Sequence, residues 1–153
     1  MKIRADEHVS PQIVETICGL CLSAGWTFDH VNHVGDRGAS DVHWMNNFAA
    51  DGGQAVLTAD TDFTSRPPQV VAVARTGMKI MLLPSRWAQA KRSLQTAHIL
   101  FWWPQIEAKL HEMKARECVT PRWHLDEKKV AFQKVEINFS RAEKRLKHAQ
   151  LNP

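Results

Sequence analysis

Four short apolar runs, each followed by a stretch with helical signals, constrain this chain more than any other feature. They read "KIRA" from residue 2, "TFDHV" from 27, "QAVLT" from 54 and "MKIMLLP" from 78. After the first, Ser10 stands as an N-cap, Pro11 at the first helical position and Gly25 as terminator, with Ile13, Ile17, Leu20 and Ala24 on one helical face. After the second, the loop "GDRGAS" leads into "DVHWMNNFAAD", where Val42, Met45, Phe48 and Ala49 share a face and Gly52-Gly53 stops the helix. "RPPQVVAVART" predicts a helix opened by prolines and closed by Gly77, and Trp87, Ala90, Leu94, Ala97 and Phe101 mark a longer one. Alternation of this kind buries a mainly parallel sheet, here of about four strands, between helices, which is an α/β fold.

Beyond Pro104, "PQIEAKLHEMKA" reads as helical through Ile106, Leu110 and Met113. "RWHLDEKKVAFQKVEINF" reads as a late hairpin, and "SRAEKRLKHAQLNP" as a charged tail without a sizeable apolar face, expected to fray. The expected organisation is a main domain over 1–115 and an extension over 116–153. With 153 residues and 44% hydrophobic content the chain suits one core. No apolar run approaches the roughly 20 residues of a membrane span, and "MKIRADEH" puts charges where a secretory signal is apolar. Three cysteines have the wrong parity for a disulfide framework. A cytoplasmic protein with reduced thiols is expected.

The net charge of +4 hides an asymmetry: residues 1–76 hold five Lys/Arg against nine Asp/Glu, and residues 77–153 fifteen against seven. A divalent cation bound by one surface and a polyanion by another would require such a division; a solvated lysine-rich tail accounts for it equally well.

In open α/β sheets ligands gather beyond the carboxyl ends of strands. Asp6 and Glu7 directly follow the first apolar run, and Asp60 and Asp62 the third, in "LTADTDF". Asp41 lies after the second, at a helix start. Carboxylates this close repel unless they are solvated or bridged by positive charge. Their convergence predicts a hard divalent cation held by oxygen, Mg²⁺ or Mn²⁺. Plainer readings stand beside this one: Asp41 as a capping acid, Asp62 as an acid turning its own backbone, Glu7 as a solvated neighbour.

With "IRADEHVSP", "GASDVHWM" and "LTADTDF" in this order, the chain resembles the PIN-like nuclease domains, especially the short VapC-type toxin relatives. The resemblance covers roughly residues 1–100; His8 stands where many relatives have asparagine, and the part after Pro104 has no counterpart. It implies a PIN-like three-layer fold, Asp6, Asp41 and Asp60 as metal ligands, and Glu7 and Asp62 as further members, with Asp6, Asp41, Asp60 and Asp62 as the catalytic carboxylates. The implied chemistry is Mg²⁺- or Mn²⁺-dependent hydrolysis of RNA phosphodiesters by the toxin of a toxin–antitoxin pair. Its partners would be an RNA substrate, a small antitoxin protein and a second copy of the chain, with no membrane. His8 and Ser10 are candidates for substrate contact, or else an ordinary loop residue and an N-cap. Lys79, Arg86, Lys91 and Arg92 are candidates for phosphate contact. Trp87 reads as a stacking platform or as core.

Two other function classes remain open: a non-catalytic binding or scaffold protein of the same fold, and a DNA-directed nuclease. Cys18, Cys21, His30 and His33 fit a zinc module poorly, with eight residues between the pairs and two between the histidines, against about twelve and three to five in finger modules. "GDRGASD" matches neither a Walker loop nor a dinucleotide fingerprint and serves as a turn delivering Asp41. "ILFWWP" at 99–104 reads either as an interface for a dimer or antitoxin helix, or as buried core.

Overall fold

The computed structural model describes residues 1–35 and 38–151. The four apolar runs become strands β1 (Lys2–Ala5), β2 (Thr27–His30), β3 (Ala55–Thr58) and β4 (Lys79–Leu82). Two more strands, β5 (Cys118–Pro121) and β6 (Phe132–Val135), extend the sheet to the order β2-β1-β3-β4-β5-β6. The first five of these are parallel and β6 returns antiparallel to β5. The α/β class is as expected, with six strands instead of about four. Of the expected late hairpin only the second strand, β6, falls in the "RWHLDEKKVAFQKVEINF" segment; its antiparallel partner β5 ends at Pro121, ahead of it.

Helices α1 (Pro11–Leu20) and α6 (Arg92–Glu112) cover one face of the sheet, burying Ile13, Ile17, Trp102, Trp103 and Ile106 against Ile3, Leu57, Met81 and Val119. Helices α2 (Asp41–Ala50), α3 (Asp62–Ser65) and α4 (Pro67–Thr76) cover the other, where Trp44, Met45, Phe48, Phe63 and Val73 meet Val56, Ile80, Leu82 and Cys118. The alternation along β3 and β4 assigns neighbouring residues to opposite cores, which makes three layers. Among the described residues no helix is long and apolar enough to cross a membrane. The loop "GDRGAS" includes positions 36 and 37, which lie outside the described residues.

Several boundaries differ from the sequence expectation for tertiary reasons. Helix α1 stops at Leu20, not at Gly25, leaving Leu20 73% exposed. The buried carboxylate of Glu107 on α6 accepts the Ser23 N–H at 3.0 Å and the Ser23 hydroxyl, so residues 21–26 become a loop pinned to α6. Gly25, at φ 79°, serves the turn into β2 instead. The long helix expected from Trp87 is two: α5 (Ser85–Gln89) and α6, separated by extended Ala90 and Lys91. Trp87 and Gln95 staple that break, Trp87 Nε1 donating to the Gln95 carbonyl at 3.0 Å and Gln95 Nε2 to the Trp87 carbonyl at 3.1 Å. Trp87 is fully buried, so it is core and not a stacking platform.

Helix α6 runs through Pro104, whose ring faces solvent, where water can take the carbonyl freed by the missing N–H. Its inner face buries His98, Ile99, Trp102, Trp103, Ile106 and Leu110, so Ile99, Trp102 and Trp103 of "ILFWWP" are core, while Leu100 and Phe101 are half-buried and Pro104 is exposed. Trp103 stacks on Phe28 of β2 with centroids 5.0 Å apart. The charged C-terminal stretch forms helix α7 (Phe139–Leu151) rather than a frayed tail. Its Phe139, Ala142 and Leu146 cover Val70 and Val71 of α4, a narrow apolar stripe that suffices because it meets a matching one.

Candidate functional site

Because β1 to β5 are parallel, their carboxyl ends share one edge of the molecule. At β1 the pairing continues one residue past the strand, Asp6 N–H donating to the Leu57 carbonyl at 3.2 Å. This holds the Asp6 side chain between β1 and β3, where the residue is 2% exposed. Its carboxylate accepts the His8 N–H at 3.1 Å, the His8 Nδ1–H at 3.2 Å and the hydroxyl of Thr58, the last residue of β3. Thr58 Oγ1 in turn accepts the Asp60 N–H at 2.8 Å. One buried hydroxyl therefore ties the acid of β1 to the acid that follows β3.

His8 records how the charges converge. The hydrogen bond to Asp6, opposed by partial burial and reinforced by the charges of Asp6, Asp60 and Glu7, pushes its pKa up to about 9 from an ordinary 6.5. Three of the five acids thus act on one imidazole at the edge of β1 and β3. A charged ring beside them partly offsets their mutual repulsion.

The remaining two are held differently. Asp41 opens α2 and is fastened from both sides, accepting from Trp44 Nε1 at 3.2 Å and from Gln69 Nε2 at 3.1 Å. It faces Glu7 across a cleft of about 430 Å³ that is also lined by Arg66 and Gln69. Gln69 is 7% exposed, and its Oε1 is buried without a hydrogen-bond partner. Asp62 begins α3; its N–H is capped by Asp60 Oδ1 at 2.9 Å and its carboxylate meets Arg66 at 3.2 Å. The positive group beside Asp62 is Arg66, four residues on and exposed, and the acid whose side chain caps the backbone there is Asp60.

The basic candidates divide. Lys79 is the first residue of β4, at the amino edge away from the acids, and its ammonium donates to the Leu110 carbonyl at 2.7 Å with its pKa lowered by burial. This corrects the expectation that it contacts phosphate at the site. Arg86 lies on α5 at the carboxyl edge and is exposed. Lys91 and Arg92 are exposed at the start of α6, with no hydrogen bond or ion pair to the acids among the described residues. Ser10 occupies the N-cap position of α1, but its hydroxyl turns to Gln12. Both nitrogens of His30 are engaged, Nε2 with the Val9 carbonyl at 2.7 Å and Nδ1 with the Asn32 N–H at 3.0 Å, which removes it from any zinc set.

Asp6, Glu7, Asp41 and Asp60 offer oxygen only, the donor set a hard divalent cation takes, and no Lys or Arg pairs with Asp6 among the described residues. In kind the donors fit Mg²⁺ or Mn²⁺. As arranged, the described residues contain no group of three or more His, Cys, Asp or Glu that could hold a metal ion. The sequence reading missed Thr58, Trp44 and Gln69. Thr58 carried a signal, as the polar end of an apolar run. Gln69 carried none, because its partner lies 28 positions away.

No curated protein and no solved structure is a significant match. The model of one protein family, described as PIN-like domain, matches residues 1–85, which holds β1 to β4, the four helices packed between them and all five acids. That segment is more than half of the 153 residues, and domains of this family are generally nucleases. The chain belongs to the PIN-like domain family.

Proposed function

We propose that this protein is a metal-dependent endoribonuclease, the toxin of a toxin–antitoxin pair, with Mg²⁺ or Mn²⁺ held by Asp6, Asp41 and Asp60 and assisted by Glu7. The observation that carries this reading is the tie at the sheet edge: the Thr58 hydroxyl donates to the Asp6 carboxylate and accepts the backbone N–H of Asp60, and the charges of Asp6, Asp60 and Glu7 all act on His8. When bound, such an ion supplies Lewis acidity toward a phosphodiester and lowers the pKa of water.

The chain's own residues do the rest. Thr58 and the His8 N–H fix the rotamer of Asp6, and Trp44 and Gln69 fix that of Asp41, so neither has to be ordered when substrate arrives. In this reading Asp60, half-buried just past β3, also accepts the proton of the attacking water. His8, charged and about half exposed, is suited to donate a hydrogen bond to a phosphate oxygen.

A second reading, a PIN-like binding or scaffold protein, is favoured by the absence of a compact metal-binding group among the described residues. A DNA-directed nuclease would use the same acids. Incubation of a total RNA pool and of single-stranded DNA with Mn²⁺, with chelator, and with Asp60→Asn in parallel separates the three. The expected outcome is metal-dependent cutting of RNA, reduced by Asp60→Asn at least ~100-fold. Cutting of DNA alone selects the DNA-directed reading. No cutting by the folded protein selects the binding protein.

A further inference from the structure

The carboxyl edge of the sheet continues past the acids. From Ala59 and Thr61, the neighbours of Asp60, a shallow cleft of about 490 Å³ runs over Leu83 and Pro84 to Thr120. There it meets a second cleft of about 380 Å³, which shares Pro84 and Thr120 and is walled by Arg86, Arg122, Trp123 and His124. The two form one path from the acids at the end of β3 to the end of β5. Two strand spacings separate β3 from β5, about 10 Å, so the second cleft is placed for a group flanking the reacting one.

The composition of this far end is specific. Arg86 and Arg122 are exposed, and neither is in an ion pair among the described residues. Trp123, which lines the same cleft, is half-buried and stacked on His98, with centroids 4.7 Å apart and planes 23° apart. His98 is buried on α6, and its Nε2–H donates to the Arg122 carbonyl at 3.0 Å. Trp102 Nε1 donates to the next carbonyl but one, that of His124, at 2.8 Å. His124 also keeps a buried Nε2 without a partner. The segment is thus anchored to α6 through its backbone and one ring face, leaving two guanidinium groups free beside an immobilised indole. An aromatic ring held in one cleft with two unpaired cations matches an unpaired base and its flanking phosphates; a duplex, whose bases are stacked internally, cannot offer that base.

We infer that this end of the edge is a subsite for single-stranded nucleic acid, taking the nucleotide beside the scissile phosphate, with its base on Trp123 and its phosphates on Arg86 and Arg122. The inference rests on the nuclease reading above. All three residues lie outside the 1–85 segment that defines the family, so the later strands would supply the grip and the family segment the acids.

The test is fluorescence anisotropy of the full-length protein with a labelled 12-nucleotide single-stranded RNA in chelator, over a salt series. Arg86→Gln with Arg122→Gln is expected to weaken binding about ten-fold or more and to reduce the slope of log K against log salt by about 1.4, from two phosphate contacts at ~0.7 each. Trp123→Leu is expected to weaken binding about ten-fold with the slope unchanged. Arg75→Gln with Arg116→Gln removes equal exposed charge from the opposite edge and is expected to leave both affinity and slope as in the wild type. The arginine pair is solvent-facing and its replacement spares the Arg122 carbonyl, so the protein should fold, which circular dichroism checks. Binding and slope unchanged in the Arg86/Arg122 variant, or an equal loss in the opposite-edge control, overturns the subsite. Absence of wild-type cleavage in the metal-dependent assay defeats the nuclease reading separately, because binding in chelator does not depend on turnover.

Discussion

His8 is where the electrostatics of the edge can be read directly. Its folded pKa, raised to about 9, lies above the ordinary 6.5, so the folded metal-free protein binds this proton more tightly than the unfolded chain does. The resulting stabilisation is complete below about pH 6.5 and is lost as pH rises through about 9. With the side chain 49% exposed, solvent screening keeps it modest. Titration of the His8 ring by NMR is expected to give a midpoint near 9 in chelator, and a midpoint displaced back toward 6.5 in Asp6→Asn. Saturating Mg²⁺ is expected to lower the midpoint too, since a cation among Asp6, Glu7 and Asp60 opposes the fields that hold the proton. A midpoint near 6.5 in the metal-free wild type would show that these acids do not converge there. At this scale Asp6 and Asp60 were legible because an acid ending an apolar run is conspicuous. The polar groups that aim them were not, since Thr58 meets Asp6 across 52 positions.

Among the elements, the turn from α4 into β4 depends on a single backbone angle. Gly77 closes α4 at φ 75°, in the left-handed region, with its N–H on the Val73 carbonyl at 3.0 Å. The space beside it is open, Ala115 Cβ lying 3.7 Å from where a methyl would sit, so the cost of a side chain is conformational rather than steric. Gly77→Ala is expected to destabilise the protein by about 1–2 kcal/mol, measured as a shift in the chemical-denaturation midpoint with unchanged m. Gly77 was readable as a terminator for that reason. Gly25 carried the same signal, yet α1 ends earlier because Glu107 binds Ser23. Helices were legible on both sides of Pro104, and α6 joins them into one because the exposed proline leaves Trp102, Trp103 and Ile106 to anchor both sides.

For the whole molecule, the late strands complete the core instead of adding to it. Cys118 and Val119 of β5 belong to the two opposite cores, and β5 pairs with the outer side of β4. A chain ending after residue 115 is therefore expected to lose cooperative unfolding, because β4 becomes an open edge and both cores lose a wall. One ending after residue 136 keeps the sheet and uncovers chiefly Val70 and Val71, at about 3 kcal/mol and a fall of roughly 10 °C in Tm. Calorimetry of both truncations tests this: a sharp transition in the shorter chain would make 1–115 an independent domain.

From sequence alone came the parallel α/β layering and the acids at the strand ends, because two-residue and helical periodicities are local and an acid after an apolar run lies within the same few residues. The docking of the last two strands onto β4, the ends of α1 and α5, the fate of the tryptophans and the Arg86–Arg122–Trp123 cleft were decided only by the tertiary structure. Each joins groups that are distant in the chain or chooses between faces that local periodicity leaves equivalent, and that choice is made by packing.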